Sequence, residues 1–224
     1  MACSLPALSI PLPAHHEQTL PFCSGPSPSR LRLAKPPFPA SSMEPWAPAE
    51  LRVFGATIGD VLALSPPRDL DAVELWAGRK AATSAARAQG LKCQTVERED
   101  GPNQDLTTEE GFWAAAKAIM GLRIGGLLIM APVCSSFVFA NSVLTRRTNA
   151  APEGDCTYGP VRDGNLMSLV AAFFFLVAFR REVYAFWENP LNSFMWKQPC
   201  VISVWDYLPS FRYHRARGWG VGVG

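Results

Sequence analysis

From Ala72 to Trp187, short strand-like runs alternate with helical stretches, and the runs end at glycines, acids or prolines. Ala72-Val73-Glu74-Leu75-Trp76-Ala77 reads as a strand, Arg79 to Gln89 as an alanine-rich helix ended by Gly90, and Leu91 to Val96 as a second strand with an acid at its tip. Together they make a βαβ unit of about 30 residues. Thr107 followed by Glu110 predicts a capping box ahead of a helix from about Glu109 to Leu122, with Phe112, Ala116, Ile119 and Met120 on one face. Gly121 and Gly125-Gly126 then bracket a turn into a buried strand, Leu127 to Met130. A polar stretch from Pro132 to Asp163 follows, long enough for a compact domain to be either functional or partly disordered. Asn165 to about Val183 reads as a helix, and Tyr184 to Trp187 as a fourth strand that breaks at Glu188-Asn189-Pro190. This alternation predicts an α/β fold: a Rossmann-like, doubly wound, mainly parallel sheet.

With 48% hydrophobic and 18% charged residues and a net charge of +2, the 224-residue chain is neither a charge-driven disordered polymer nor a strongly basic nucleic-acid coat. Its composition is uneven, since 13 of the 20 prolines fall within the first 67 residues. Residues 1–50 read as a Pro/Ser-rich leader, compatible with a transit peptide and with a disordered tail. Residues 51–68 read as a short helix and linker, and residues 69–224 as the domain proper. Its last stretch, Arg215 to Gly224, reads as low complexity rather than strand. Either the closing strands of the sheet come from the residues after Pro190, or the sheet is truncated at this end and keeps an exposed edge.

Six cysteines without a CxxC pair or metal-like spacing fit reduced, intracellular thiols, with cytoplasm, nucleus and plastid left open. The histidines are His15, His16 and His214, so the core lacks an imidazole for a Ser-His-Asp triad, a Cys-His pair or a zinc site. The longest apolar run, Leu166 to Phe179, ends at Arg180-Arg181 and falls short of the ~20 residues of a spanning helix. It reads as a buried core helix, and no membrane span is expected.

In doubly wound sheets, ligands bind beyond the carboxyl ends of the strands. Those ends carry Gly78, Glu97, Pro132-Val133-Cys134 and Glu188. Each alone has an ordinary structural explanation: a turn glycine, a solvated acid, a packed thiol. Their order along the chain is more informative than any one of them.

Glu74-Leu75-Trp76-Ala77-Gly78, then Val96-Glu97, then Ala131-Pro132-Val133-Cys134-Ser135-Ser136-Phe137, then Glu188-Asn189-Pro190 resembles the cytosine-C5 branch of S-adenosylmethionine-dependent methyltransferases. That family reads Asp-Leu-Phe-Ala-Gly, an acid ending the second strand, Pro-Pro-Cys-Gln, and Glu-Asn-Val. The chain is also similar to methyltransferase-like proteins familiar from dinoflagellate genomes, through Asp105-Leu106, Glu110-Gly111-Phe112, Gly125 to Leu128 and Cys134 to Ser136. The resemblance covers roughly residues 69 to 200. It implies S-adenosylmethionine as cofactor, with Glu74 in the first motif and the backbone of Ala77 and Gly78 against its methionine part. Glu97, whose oxygens only accept, suits the ribose diol. Asp105, or alternatively Glu99 or Asp100, meets the adenine edge. For catalysis, the resemblance implies Cys134 as the thiolate attacking C6 of a flipped base and Glu188 as the acid at N3. The partner is then a nucleic-acid base or a small planar substrate.

The chain departs from that pattern. Gly78-Arg79-Lys80-Ala81 lacks the family's further glycines, Val133 replaces the proline before the cysteine, and Ser135 stands where Gln is usual. No Gln-x-Arg-x-Arg segment or target-recognition domain is present. A non-catalytic binding or interaction module of the same fold is therefore a second expectation. Arg146, Arg147 and Arg162 lie where cations could meet phosphates, although a solvated loop explains them more simply. Trp187 and Trp196 could stack a base, with core packing as the simpler explanation.

Overall fold

The computed structural model describes residues 51–208 and 220–223. The leader read from residues 1–50, and the start of the C-terminal low-complexity stretch, lie outside the described residues. Five strands form one sheet: β1 (Leu70–Leu75), β2 (Cys93–Val96), β3 (Leu122–Met130), β4 (Tyr184–Asn189) and β5 (Gly220–Val223), in the order β2-β1-β3-β4-β5. The first four run parallel, and β5 pairs antiparallel with β4. The fold is therefore α/β and Rossmann-like, as the alternation predicts. Gly220–Val223, expected to be irregular, is instead a strand: it lines the edge of β4 with Val221 opposite Glu188.

The helices are α1 (Ile58–Leu62), α2 (Ala81–Ala88), α3 (Glu109–Met120), α4 (Ser142–Thr145), α5 (Gly159–Arg180) and α6 (Pro199–Tyr207). The crossover from β1 to β2 places α2 over these two strands on one face of the sheet. Both α3 and α5 lie on the other face, with α1 and α6 packed against them. The core sits on this second face, where Val73, Leu75, Leu128, Met130 and Trp187 are fully buried under Phe112 and Phe173 to Phe175. Phe112 stacks on Phe174 at 5.0 Å and meets Phe173 edge-on at 5.4 Å. Burying each such ring stabilises the fold by about 1.5–3 kcal/mol. Val53, Ala56 and Val61 belong to the same core, so the segment read as helix and linker is part of the domain.

Several boundaries differ from the sequence reading, each for a local reason. β3 starts at Leu122 rather than Leu127, because Gly125-Gly126 forms an irregularity within the strand instead of a turn before it. Gly125 takes φ +69°, which a glycine adopts at little cost, and the pairing register with β1 shifts there. The N-cap of α3 is Thr108, whose hydroxyl accepts from Gly111 N at 3.2 Å; Thr107 serves a different turn. α5 starts at Gly159, six residues before Asn165, with Pro160 in its first turn, where the missing N–H costs nothing. Glu188 and Asn189 continue β4 instead of breaking it.

At 22 residues, α5 has the length and apolarity to cross a membrane, yet it is largely buried within the domain. Its run from Val170 to Ala178 is buried on every side by the sheet, α1, α3 and α6, which accounts for a helix that is apolar all round.

Candidate functional site

The strand order reverses between β1 and β3: the chain moves outward from β1 to β2, then returns to add β3 on the other side. The loops leaving β1 and β3 diverge at such a point and open a crevice above the strand ends.

The loop after β1 has an unusual backbone. Trp76, Gly78 and Lys80 have φ of +53°, +47° and +55°, so alternate residues are left-handed and two of them are not glycine. Each non-glycine residue held there costs about 1–3 kcal/mol, and such strain concentrates at functional sites. Three contacts impose it. Trp76 N donates to Val96 O at 3.0 Å, Gly78 N donates to Glu97 Oε2 at 2.8 Å, and the Lys80 ammonium pairs with the Asp100 carboxylate. The loop leaving β1 is thus tied to the chain leaving β2. Beyond Gly78 there is open space, since a Cβ built on it would have no neighbour within 4 Å. A glycine adopts this φ at less cost than Trp76 and Lys80 do beside it.

Glu74 is buried and points to the α2 face, where its Oε2 accepts from Thr83 N at 2.9 Å. Lys80, at the N-cap of α2, offers no side-chain cap, so a carboxylate from the neighbouring strand does the capping. This contact seats α2 on β1. Glu97 is half-buried, and among the described residues its Oε1 has no recorded hydrogen-bond partner. Asp105 is engaged locally: its Oδ1 accepts from Thr107 N at 2.9 Å and Thr107 Oγ1 at 2.7 Å, while its carbonyl takes Thr108 N and Oγ1. Asp105 therefore shapes the turn in front of α3.

Cys134 and Glu188 belong to neighbouring strand ends. Met130 is in register with Trp187, so Cys134 lies four residues past the sheet and Glu188 one residue past the paired position. Asn189, fully buried, donates Nδ2 to Pro132 O at 3.0 Å, and Phe194 N donates to Phe137 O at 2.9 Å. These two bonds lock the Cys134 segment onto the end of β4. Cys134 is half-buried and opens a turn closed by Phe137 N on its own carbonyl at 2.8 Å. Glu188 alternates away from Trp187 and Asn189, toward the α2 face. Burial pushes its carboxyl above the ordinary range, and a carboxyl so placed holds a proton more readily.

The long segment after Cys134 is ordered around a residue that sequence reasoning placed in solvent. Arg147 is 1% exposed, and its guanidinium bonds Ser136, Pro152, Val161 and Asn165 while lying 4.0 Å over the Phe137 ring. Arg146 and Arg162 are exposed and pair with Asp155 and Asp163. Gly164 leaves room for this cluster: a Cβ there would lie 2.3 Å from Ser136 Oγ and 3.1 Å from Arg147 Nη2. Trp187 is fully buried, 5.5 Å from Trp196, which donates to Pro190 O at 2.9 Å. Both rings serve core packing at this end of β4.

The rim thus offers a strained backbone loop with open space, a half-buried carboxylate beside it, a turn bearing a thiol and a second carboxylate with a raised pKa. No protein-family model, curated protein or solved structure matches the chain, so the reading of this rim rests on its own geometry.

Proposed function

We propose that the chain is an S-adenosylmethionine-binding, methyltransferase-like protein whose cofactor site is the crevice between the loops leaving β1 and β3. The observation that carries this reading is the Gly78–Glu97 hydrogen bond beneath open space at the strand-order reversal. Glu97 is already oriented by Gly78 through one oxygen, leaving the other for a hydroxyl donor such as a ribose diol. Ala77 and Gly78 present backbone to the remainder of the cofactor, and Glu74 seats α2 on β1 next to them in sequence. When bound, the cofactor supplies an electrophilic methyl group. In this reading Cys134 is the nucleophile toward a planar base, Glu188 is the acid that protonates its ring nitrogen, and the substrate is a nucleic-acid base or a small planar analogue.

The test is the thermal shift of the full-length protein with S-adenosylmethionine and with S-adenosylhomocysteine. At 100 times the dissociation constant, a ligand that binds only the folded state adds about 2.7 kcal/mol. An upward shift with both compounds supports the reading, and no shift in a cooperatively unfolding sample overturns it. Cys134→Ser then separates the roles: retained cofactor binding with loss of methyl transfer fits a nucleophile.

The second reading is a non-catalytic module of the same fold. It is favoured by Asp105, whose carboxylate is engaged by Thr107, and by the single glycine in the loop after β1. Cofactor affinity without transfer to any base, with Cys134→Ser altering stability alone, is the outcome that selects it.

A further inference from the structure

We propose that Arg147 is a positioning residue for the Cys134 turn. The inference rests on the proposed role of Cys134 for its purpose, and on geometry for its substance. Arg147 is among the largest fully buried side chains of the domain, yet among the described residues no carboxylate pairs with it. Its contacts are neutral acceptors. Nε donates to Ser136 O at 2.8 Å, Nη2 to Ser136 Oγ at 3.3 Å and to Val161 O at 3.1 Å, and Nη1 to Asn165 Oδ1 at 2.8 Å and to Pro152 O. Two of the five reach Ser136, and the guanidinium plane covers Phe137. Ser136 and Phe137 are the closing half of the turn that Cys134 opens. One side chain therefore joins that turn to α5 and to the segment around Pro152.

The surroundings are shaped to admit it. Gly154, at φ +65°, would place a Cβ 2.4 Å from Thr145 O and 2.7 Å from Arg147 Cγ, and Gly164 would place one against Ser136. Asn165 uses its other end on Glu153 O at 2.9 Å, and Gln198 donates to Pro152 O at 2.7 Å, so the acceptors are themselves held. Burial carries a desolvation cost that pushes the guanidinium pKa down to about 10, with Cys156 and Glu153 nearby offsetting only part of it. A methionine or leucine would fill the volume without that cost, but would take the Arg147 donor from the carbonyls of Ser136 and Val161 and leave Pro152 O with Gln198 alone. Lysine keeps the charge but lacks the planar fork that reaches all of them at once.

The experiment compares wild type with Arg147→Ala and Arg147→Lys by peptide-resolved hydrogen exchange and iodoacetamide alkylation, together with the thermal shift by S-adenosylhomocysteine. A positioning role predicts exchange at least 10-fold faster across residues 132–158, with peptides of β1, β3 and β4 unchanged. It also predicts at least fivefold faster alkylation of Cys134, with Cys93 and Cys200 unchanged, and no rescue by lysine. If Arg147→Ala fails to fold, Asn165→Ala removes one acceptor only and gives a smaller rise in the same peptides. Faster exchange spread evenly over sheet and loop, rescue by lysine, or no change anywhere each overturns the proposal. Absence of a wild-type ligand shift counts against the cofactor reading alone, because exchange and alkylation still decide the role of Arg147.

Discussion

Gly111→Ala sets two effects of opposite sign against each other. Gly111 lies in the first turn of α3, where alanine in place of glycine favours a helix by about 1 kcal/mol. On propensity alone the substitution stabilises. The structure predicts the reverse: the new Cβ would sit 1.9 Å from Asp105 O and 2.3 Å from Asp105 C. The first distance is about 1.1 Å below the 3.0 Å that real Cβ atoms essentially never cross, and the obstacle is backbone rather than a flexible side chain. Overpacking costs about 1–3 kcal/mol, and an obstacle that cannot rotate away places this site at the upper end of that range. Subtracting the helix gain leaves a net loss of about 2 kcal/mol, and Tm should fall by about 4–8 °C for a domain of this size. Differential scanning calorimetry of the two proteins measures it. The change should also weaken the Asp105–Thr107 turn, which is bonded at 2.7 and 2.9 Å, and speed amide exchange at Thr107 and Thr108. An unchanged or higher Tm would refute the close approach of α3 to Asp105.

Three further outcomes follow from other parts of the fold. Because burial raises the Glu188 pKa, the folded state holds its proton over a pH range where the unfolded chain has released it; the associated stability is present in acid and lost as pH rises through the raised value. Glu188→Gln should therefore be more stable than wild type at pH 7 to 8 and equal to it below pH ~4, read from Tm against pH. Arg181, buried at the end of α5, donates to Met120 O at 2.8 Å and Leu122 O at 3.0 Å; Arg181→Met should cost about 2–4 kcal/mol in urea unfolding because both carbonyls lose a donor. The exposed Lys92–Asp69 pair, at 3.1 Å, should contribute little, and Lys92→Ala should change stability by less than ~1 kcal/mol.

The parallel sheet was legible because its strands are short apolar runs separated by a helix-forming alanine segment, a glycine stop and a Pro-bounded rim. Alternation alone assigns those strands and the doubly wound arrangement. Local patterns failed where one residue type has two uses. Gly125-Gly126 reads as a turn but lies within β3, and Gly159-Pro160 reads as loop but opens α5, because proline is as acceptable in a first helical turn as in a bend. Gly220–Val223 has too little side chain to announce a strand; its pairing with β4 is set by the partner. At the rim, Gly78 and Glu97 could be placed from strand ends, and the structure joins them directly. Asp105 could not be separated from Glu99 and Asp100 by order alone, since only its hydrogen bonds reveal an acid serving its own turn. Arg147 was the least legible: beside Arg146 in a polar stretch it looks solvated, and its burial depends on acceptors from Ser136, Pro152, Val161 and Asn165 that meet only in the folded chain.

The most direct test of the central claim is calorimetric titration of S-adenosylhomocysteine into the wild-type protein and into Glu97→Ala. A single saturable site in the wild type, weakened at least 10-fold in the variant while its Tm stays within a few degrees, is the predicted result. No heat of binding in the wild type, or equal affinity in both proteins, would contradict a nucleoside site at Gly78 and Glu97.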